Sequence, residues 1–139
     1  TARTAPASAG VQTSALCIGG SPPVTANTEL WNGTNWTEVN NLNTARVGAG
    51  GAGASNTSAI AFGGGVPYPS APPPTVPSAN TEEWNGTNWT ETTDMATARA
   101  YIAGSGTKTA ALASGGSDKT NTEEWTGAGA PVVKTISTD

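Results

Sequence analysis

The densest acid in this chain stands in two adjacent pairs, Glu82-Glu83 and Glu123-Glu124. Two carboxylates held close split their proton affinities, which is the raw material of general acid–base catalysis. Each pair, however, lies in Asn-Thr-Glu-Glu-Trp, a stretch of strand character in which neighbours point to opposite faces. The members of a pair are therefore expected to be separated, each solvated or matched to an arginine. The chain contains no histidine. That removes histidine-based triads, most zinc sites and the commonest general base. Gly48-Ala-Gly50-Gly-Ala-Gly53 spells the dinucleotide fingerprint, but that motif needs a helix after it, and Ser55-Asn-Thr-Ser58 leads into another strand-like run. Gly104-Ser-Gly-Thr-Lys108-Thr109 has the wrong spacing for a phosphate loop, and Asp118-Lys-Thr-Asn121 has too few ligands for a calcium loop. No catalytic, cofactor-binding or metal-binding set emerges, and an enzyme is not expected.

The remaining reactive groups have structural explanations. Cys17 is the single cysteine, so no intramolecular disulfide can form, and its apolar setting in Ala15-Leu16-Cys17-Ile18 predicts a small core residue. Asn32, Asn35, Asn56, Asn85 and Asn88 each open an N-x-S/T sequon, but all except Asn56 fall in predicted turns, where turn geometry already calls for Asn.

Composition bounds the frame that holds these residues. The chain has 139 residues, the length of one ordinary domain, with 12% charged and 35% apolar. Its 18 Gly, 10 Pro and abundant Thr and Ser argue against a helical protein. Disorder competes as a reading, since low hydrophobicity favours it, but the net charge of −4 is mild and 5 Trp need burial. The 6 basic residues are scattered, so there is no footprint for nucleic acid. No apolar run approaches a membrane span, and no signal peptide is visible. The chain begins at Thr1, which is expected of a processed, trimmed or partial sequence.

The chain says the same thing three times. NTELWNGTNWT at 27–37 returns as NTEEWNGTNWT at 80–90 and, broken, as NTEEWT at 121–126. Units at 1–44, 45–97 and 98–139 share ordered anchors within one module. These are Arg3, Arg46 and Arg99; Gly19-Gly20, Gly63-Gly64 and Gly115-Gly116; Glu29, Glu82 and Glu123; and Trp31, Trp84 and Trp125. The arginines are spaced by 43 and then 53 residues, and the excess lies in one Pro-rich insertion at 65–79. Each unit reads as four short strands. The first follows the arginine (4–11, 47–54, 100–106). The second is apolar (14–18, 58–62, 109–113), without polar alternation, which predicts cover on both faces. The third ends at Trp31, Trp84 or Trp125, and the fourth begins at Trp36 or Trp89. Asn-Gly between them predicts a hairpin that sets Trp31 opposite Trp36 and Trp84 opposite Trp89. Those pairs are expected to fix the hairpin and fill a layer between sheets. A four-stranded unit repeated at this period predicts an all-β chain of propeller blades, whose faces are buried only by stacking on neighbours.

The ordered set Arg46, Ala-Phe-Gly63-Gly64, Glu82-Glu-Trp84, Trp89 and Met95-Ala-Thr-Ala-Arg99 resembles the kelch repeat. The Asn-Gly-Thr-Asn-Trp-Thr and Asn-Thr-Ala-Arg phrases resemble kelch-type repeats in tail or fibre virion proteins of bacteriophages, including those of aquatic cyanobacteria. Val132-Val-Lys-Thr-Ile136 is similar to the C-terminal edge strand of such proteins. The resemblance implies that the double glycines end the second strand in a tight turn. It also implies that Arg3, Arg46 and Arg99 each reach a Glu of the set Glu29, Glu82 and Glu123. The copper chemistry of kelch-type oxidases needs His, which this chain lacks. The third unit lacks the second Trp, as a terminal repeat does. Three blades are fewer than a closed propeller needs. A larger parent chain, a six-bladed pair of chains and an open assembly all satisfy the sequence.

The implied function is a non-enzymatic structural or adhesion module, virion-borne or extracellular, that presents loops to a host surface or to other virion subunits. Self-association or partner proteins are expected, with a host glycan as a further partner. In the 65–79 insertion Tyr68, Pro72, Pro73 and Pro74 are candidate partner contacts on a stiffened, extended segment. The alternative is a carbohydrate-binding propeller in which Trp and Asn groups form shallow sugar sites. A propeller enzyme is the weakest expectation.

Overall fold

A computed structural model describes residues 2–67, 75–126 and 132–135. All regular structure among them is β. In chain order the strands are β1 (Ala7–Val11), β2 (Ser14–Ile18), β3 (Thr28–Trp31), β4 (Trp36–Val39), β5 (Gly50–Ser55), β6 (Ser58–Phe62), β7 (Gly65–Pro67), β8 (Thr75–Pro77), β9 (Thr81–Trp84), β10 (Trp89–Glu91), β11 (Ala103–Thr107), β12 (Ala110–Ser114), β13 (Asn121–Glu124) and β14 (Val132–Thr135).

These strands form three four-stranded antiparallel sheets, β1-β2-β3-β4, β5-β6-β9-β10 and β11-β12-β13-β14, and a two-stranded ribbon, β7-β8. The register places Trp31 opposite Trp36 and Trp84 opposite Trp89, as the Asn-Gly spacing predicts. The turn itself differs from expectation. Only the glycines adopt positive φ, Gly33 at 92° and Gly86 at 97°. Each preceding Asn acts as an acceptor instead: Asn32 Oδ1 receives the N–H groups of Thr34 and Asn35, both at 2.9 Å. This is an Asx-type closure, which suits a four-residue loop.

The first strand of each sheet starts about three residues later than expected. The cause is a left-handed residue two positions after each arginine: Ala5 at φ 48°, Gly48 at 63° and Tyr101 at 57°. Extended pairing cannot run through that conformation. The three kinks stack on one another, with Gly48 N–H donating to Ala5 O at 2.9 Å and Tyr101 N–H to Gly48 O at 2.6 Å.

Burial follows the stacking order. One core lies between the first and second sheets and holds Leu16, Ile18, Leu42, Ala59, Ala61, Trp84 and Trp89. The other lies between the second and third and holds Ile60, Phe62, Met95, Ile102, Ala111, Ala113 and Trp125. Among the described residues only the middle sheet is covered on both faces, so β6 is almost wholly buried while β2 and β12 alternate. The expectation that every second strand is doubly covered holds only there. For the same reason Cys17 is half-buried rather than core, whereas its counterparts Ala61 and Ala113 are fully buried.

Candidate functional site

Each repeat arginine lies against the glutamate of its own unit. Arg46 Nη2 donates to Glu82 Oε1, and both side chains are fully buried. Arg46 Nη1 also donates to Gly63 O at 3.2 Å and Asn80 O at 2.7 Å. Arg99 repeats the pattern, with Nη2 at 2.7 Å from Glu123 Oε1 and Nη1 donating to Gly115 O and Asn121 O at 3.2 and 2.7 Å. The carbonyls are those of the double-glycine turn and of the Asn at the entry to the third strand, Asn80 just before β9 and Asn121 first in β13. Arg3 is looser: its Nη2 stands 3.2 Å from Glu29 Oε2 without aligned hydrogen-bond geometry, and Glu29 is 22% exposed. Burial pulls the Arg46 guanidinium below its ordinary pKa, and Glu82 beside it pushes back.

The other carboxylate oxygen reaches the previous sheet. Glu82 Oε2 accepts from the backbone N–H and side-chain amide of Asn43, at 2.8 and 2.9 Å. Glu123 Oε2 accepts from Ala96 N–H at 2.7 Å, and Thr97 N–H donates at 3.3 Å to Oε1, the oxygen that Arg99 also reaches. Asn43 and Ala96 belong to the segments that leave one sheet and enter the next. The two buried pairs, Arg46–Glu82 and Arg99–Glu123, are thus latches on the inter-sheet connections.

The paired carboxylates diverge as expected. Glu83 faces away from Glu82 and lies 3.5 Å from Lys108 Nζ; Glu124 lies 2.7 Å from Lys134 Nζ. The Gly48–Gly53 motif runs into β5 and on to β6, without the helix a dinucleotide site requires. Among the described residues no cluster of three or more His, Cys, Asp or Glu could hold a metal ion.

Two tryptophan pairs share one geometry in different surroundings. The Trp84 and Trp89 rings sit 5.4 Å apart and are buried against the first sheet. Trp84 Nε1 donates to Asn56 O at 2.8 Å, and Trp89 Nε1 to Thr28 Oγ1 at 3.0 Å across the sheets. Trp31 and Trp36 also lie 5.4 Å apart, and Trp31 Nε1 donates to Gln12 O at 2.8 Å. Trp36, however, is 51% exposed. The expectation that these pairs fill a layer between sheets therefore fails for the first pair, because no sheet among the described residues covers that face. Trp125 stacks on Phe62, with centroids 5.0 Å apart and an interplanar angle of 20°.

Sequence reasoning missed three inter-sheet ties. Asn56 Nδ2 donates to Trp31 O at 2.8 Å, and its backbone N–H to Ser14 Oγ at 3.0 Å. Asn40 Nδ2 donates to Thr87 O and Asn88 Oδ1, at 2.9 and 2.8 Å. Thr28 receives the Trp89 indole. These residues sit in turns and strand ends, where Asn and Thr are already explained locally, so only the recurrence of Thr28, Thr81 and Thr122 could have drawn attention to one of them.

Strands β1, β5 and β11 line an open cleft of about 480 Å³. Its walls are Ser8–Gln12, Gly51–Gly53 and Gly104–Gly106, with Ala15, and carry no ionisable side chain. In the insertion, β7 pairs with β8 through Val66 opposite Val76, and the base is fastened by Val47 N–H to Gly65 O at 3.0 Å and Gly65 N–H to Val47 O at 2.7 Å. The candidate contacts Tyr68, Pro72, Pro73 and Pro74 lie outside the described residues.

No protein-family model matches the chain, and no curated protein matches it. Among solved structures, the one titled "Structure of YjhT" is similar at a TM-score of 0.75 and 18% identity, covering 96% of this chain. This chain spans 46% of that one, a little under half its length. The likeness supports a shared arrangement of antiparallel sheets.

Proposed function

We propose that the three sheets are successive blades of a kelch-like β-propeller, and that the module is a non-enzymatic structural and adhesive component. Its best fit is a bacteriophage tail or fibre protein that presents loops to a host surface or to other virion subunits. The observation that carries this reading is the β7-β8 ribbon. Among the described residues one repeat bears it, hydrogen bonds fasten its base to Val47, and Val76 on it is 36% exposed. A rigid scaffold with one decorated loop is a common way to display a contact surface. The blade reading draws support from the stacked kinks at Ala5, Gly48 and Tyr101, from the latches between consecutive sheets, and from the likeness in sheet arrangement.

The second reading, a carbohydrate-binding propeller, is favoured by Trp36, whose exposed indole beside Trp31 offers an apolar face to a sugar ring. One experiment separates the two. The labelled protein is applied to whole bacterial cells and to an array of bacterial surface polysaccharides. Retention on cells is expected, and is lost when residues 65–77 are replaced by a short Gly-Ser turn. Sugar binding that survives this replacement but is lost in Trp36→Ala establishes the lectin. No retention on any surface overturns the adhesive role.

A further inference from the structure

Among the described residues the stack of sheets leaves two faces uncovered, and the covered faces inside it show what each one accepts. The Trp84–Trp89 face of the middle sheet is covered by the Leu16–Ile18 face of the first, and Trp89 Nε1 finds Thr28 Oγ1 there. Trp31 and Trp36 occupy the same positions in the first sheet as Trp84 and Trp89 do in the second. Their face also carries the half-buried Cys17, in register with Glu29. At the far end, Leu112 stands where Leu16 and Ile60 stand, and Thr122 where Thr28 stands. Leu112, Glu124 and Val132 are cross-strand neighbours on one face, and Val132 is 51% exposed. Among the described residues no Leu/Thr face covers Trp36 and no Trp face covers Leu112.

We infer that the Trp31–Trp36 face of one chain docks on the Leu112–Val132 face of a second copy, in the manner in which the second sheet already docks on the first. The inference rests on the blade reading above. Such a contact is heterologous: it uses two different patches and either closes a ring or propagates. Two copies supply six sheets, and this chain's 46% share of the YjhT chain leaves room for one further unit of its size. A closed pair uses both uncovered faces of both copies, with the Trp36 indole directed at Thr122 of the second copy. Polar chemistry agrees, since Gln12 corresponds to Lys108, which pairs with Glu83, and would meet Glu124, which corresponds to Glu83. The contact between copies differs from the internal ones in one respect. Gly51 lies so close to the first sheet that a Cβ would come 2.5 Å from Ser8 O, and Gly104 is as close to Gly51. Ser8, at the corresponding position, has a Cβ, so the inner strands of two copies sit farther apart.

The test is the mass of the purified chain by sedimentation and native mass spectrometry over a range of concentrations. A dimer is expected. Trp36→Glu and Leu112→Glu each raise the dissociation constant by at least about 30-fold, the effect of losing a central anchor. Mixing the two variants restores a dimer, because one of the two contacts is then wild type on both sides. A wild-type chain that stays monomeric at every concentration overturns the inference, as does a dimer indifferent to Leu112→Glu, which would be a face-to-face pairing of tryptophans. Near-UV circular dichroism separates this failure from failure of the blade reading. A monomer that keeps the Trp84–Trp89 and Phe62–Trp125 signals has stacked sheets but no docking of copies, whereas loss of those signals removes the stacking itself.

Discussion

At the scale of single residues, the buried charges decide stability. Arg46 and Glu82 are fully buried, and so are Arg99 and Glu123. Removing one member of such a pair leaves the other charged in a low-dielectric interior, at a cost of about 3–5 kcal/mol. Arg46→Ala is therefore expected to lower the urea midpoint of unfolding by an amount corresponding to that loss. Arg3→Ala should do less, because Glu29 retains contact with water. Equal effects of the two substitutions would show that the latch at Glu82 contributes little. The pairing was expected from the resemblance to the kelch repeat, carried onto the arginine and glutamate that recur in all three units. The second half of the latch was not. Its donors include the backbone N–H groups of Asn43, Ala96 and Thr97, and a backbone amide leaves no mark on residue type.

At the scale of elements, the small residues of the first strands set how closely the sheets approach. A Cβ on Gly51 would stand 2.5 Å from Ser8 O, and one on Gly104 would stand 2.4 Å from Gly51 O. The obstacle is backbone and cannot swing away. Neither glycine has a positive φ, so the penalty is steric rather than conformational. Gly51→Ala and Gly104→Ala are each expected to destabilise by about 1–3 kcal/mol, the range for overpacking a close contact, as read by thermal unfolding. Ser105→Ala, on an exposed neighbour in β11, serves as the silent control. The strands themselves were largely readable from the repeated anchors, the apolar second runs, the Asn-Gly turns and the tryptophans. Their starting points were not. Ala5 and Tyr101 take left-handed backbone that neither side chain favours, and only Gly48 of the three signals it. Those kinks are imposed by stacking between sheets, which no single unit reveals.

At the scale of the whole molecule, the uncovered faces predict that stability depends on concentration. If two copies close on each other, mass action raises the melting temperature as protein concentration rises. Trp36→Glu is expected to abolish that dependence while leaving the melting temperature of the dilute chain near its wild-type value, since Trp36 is half exposed within one chain. A concentration-independent wild-type transition would argue for isolated chains. The sequence by itself determined the repeat, the all-β class, and the pairing of Trp31 with Trp36 and of Trp84 with Trp89. All of these rest on residue type and local spacing, and a threefold repetition multiplies such signals. Only the tertiary structure decided which of three near-identical faces are covered. The same Trp pair is core in the second sheet and surface in the first, and the same second-strand position is a fully buried Ala61 in one and a half-buried Cys17 in the other. Burial is a property of what lies across the gap, and a repeated sequence gives every copy the same face without saying which copy has a neighbour.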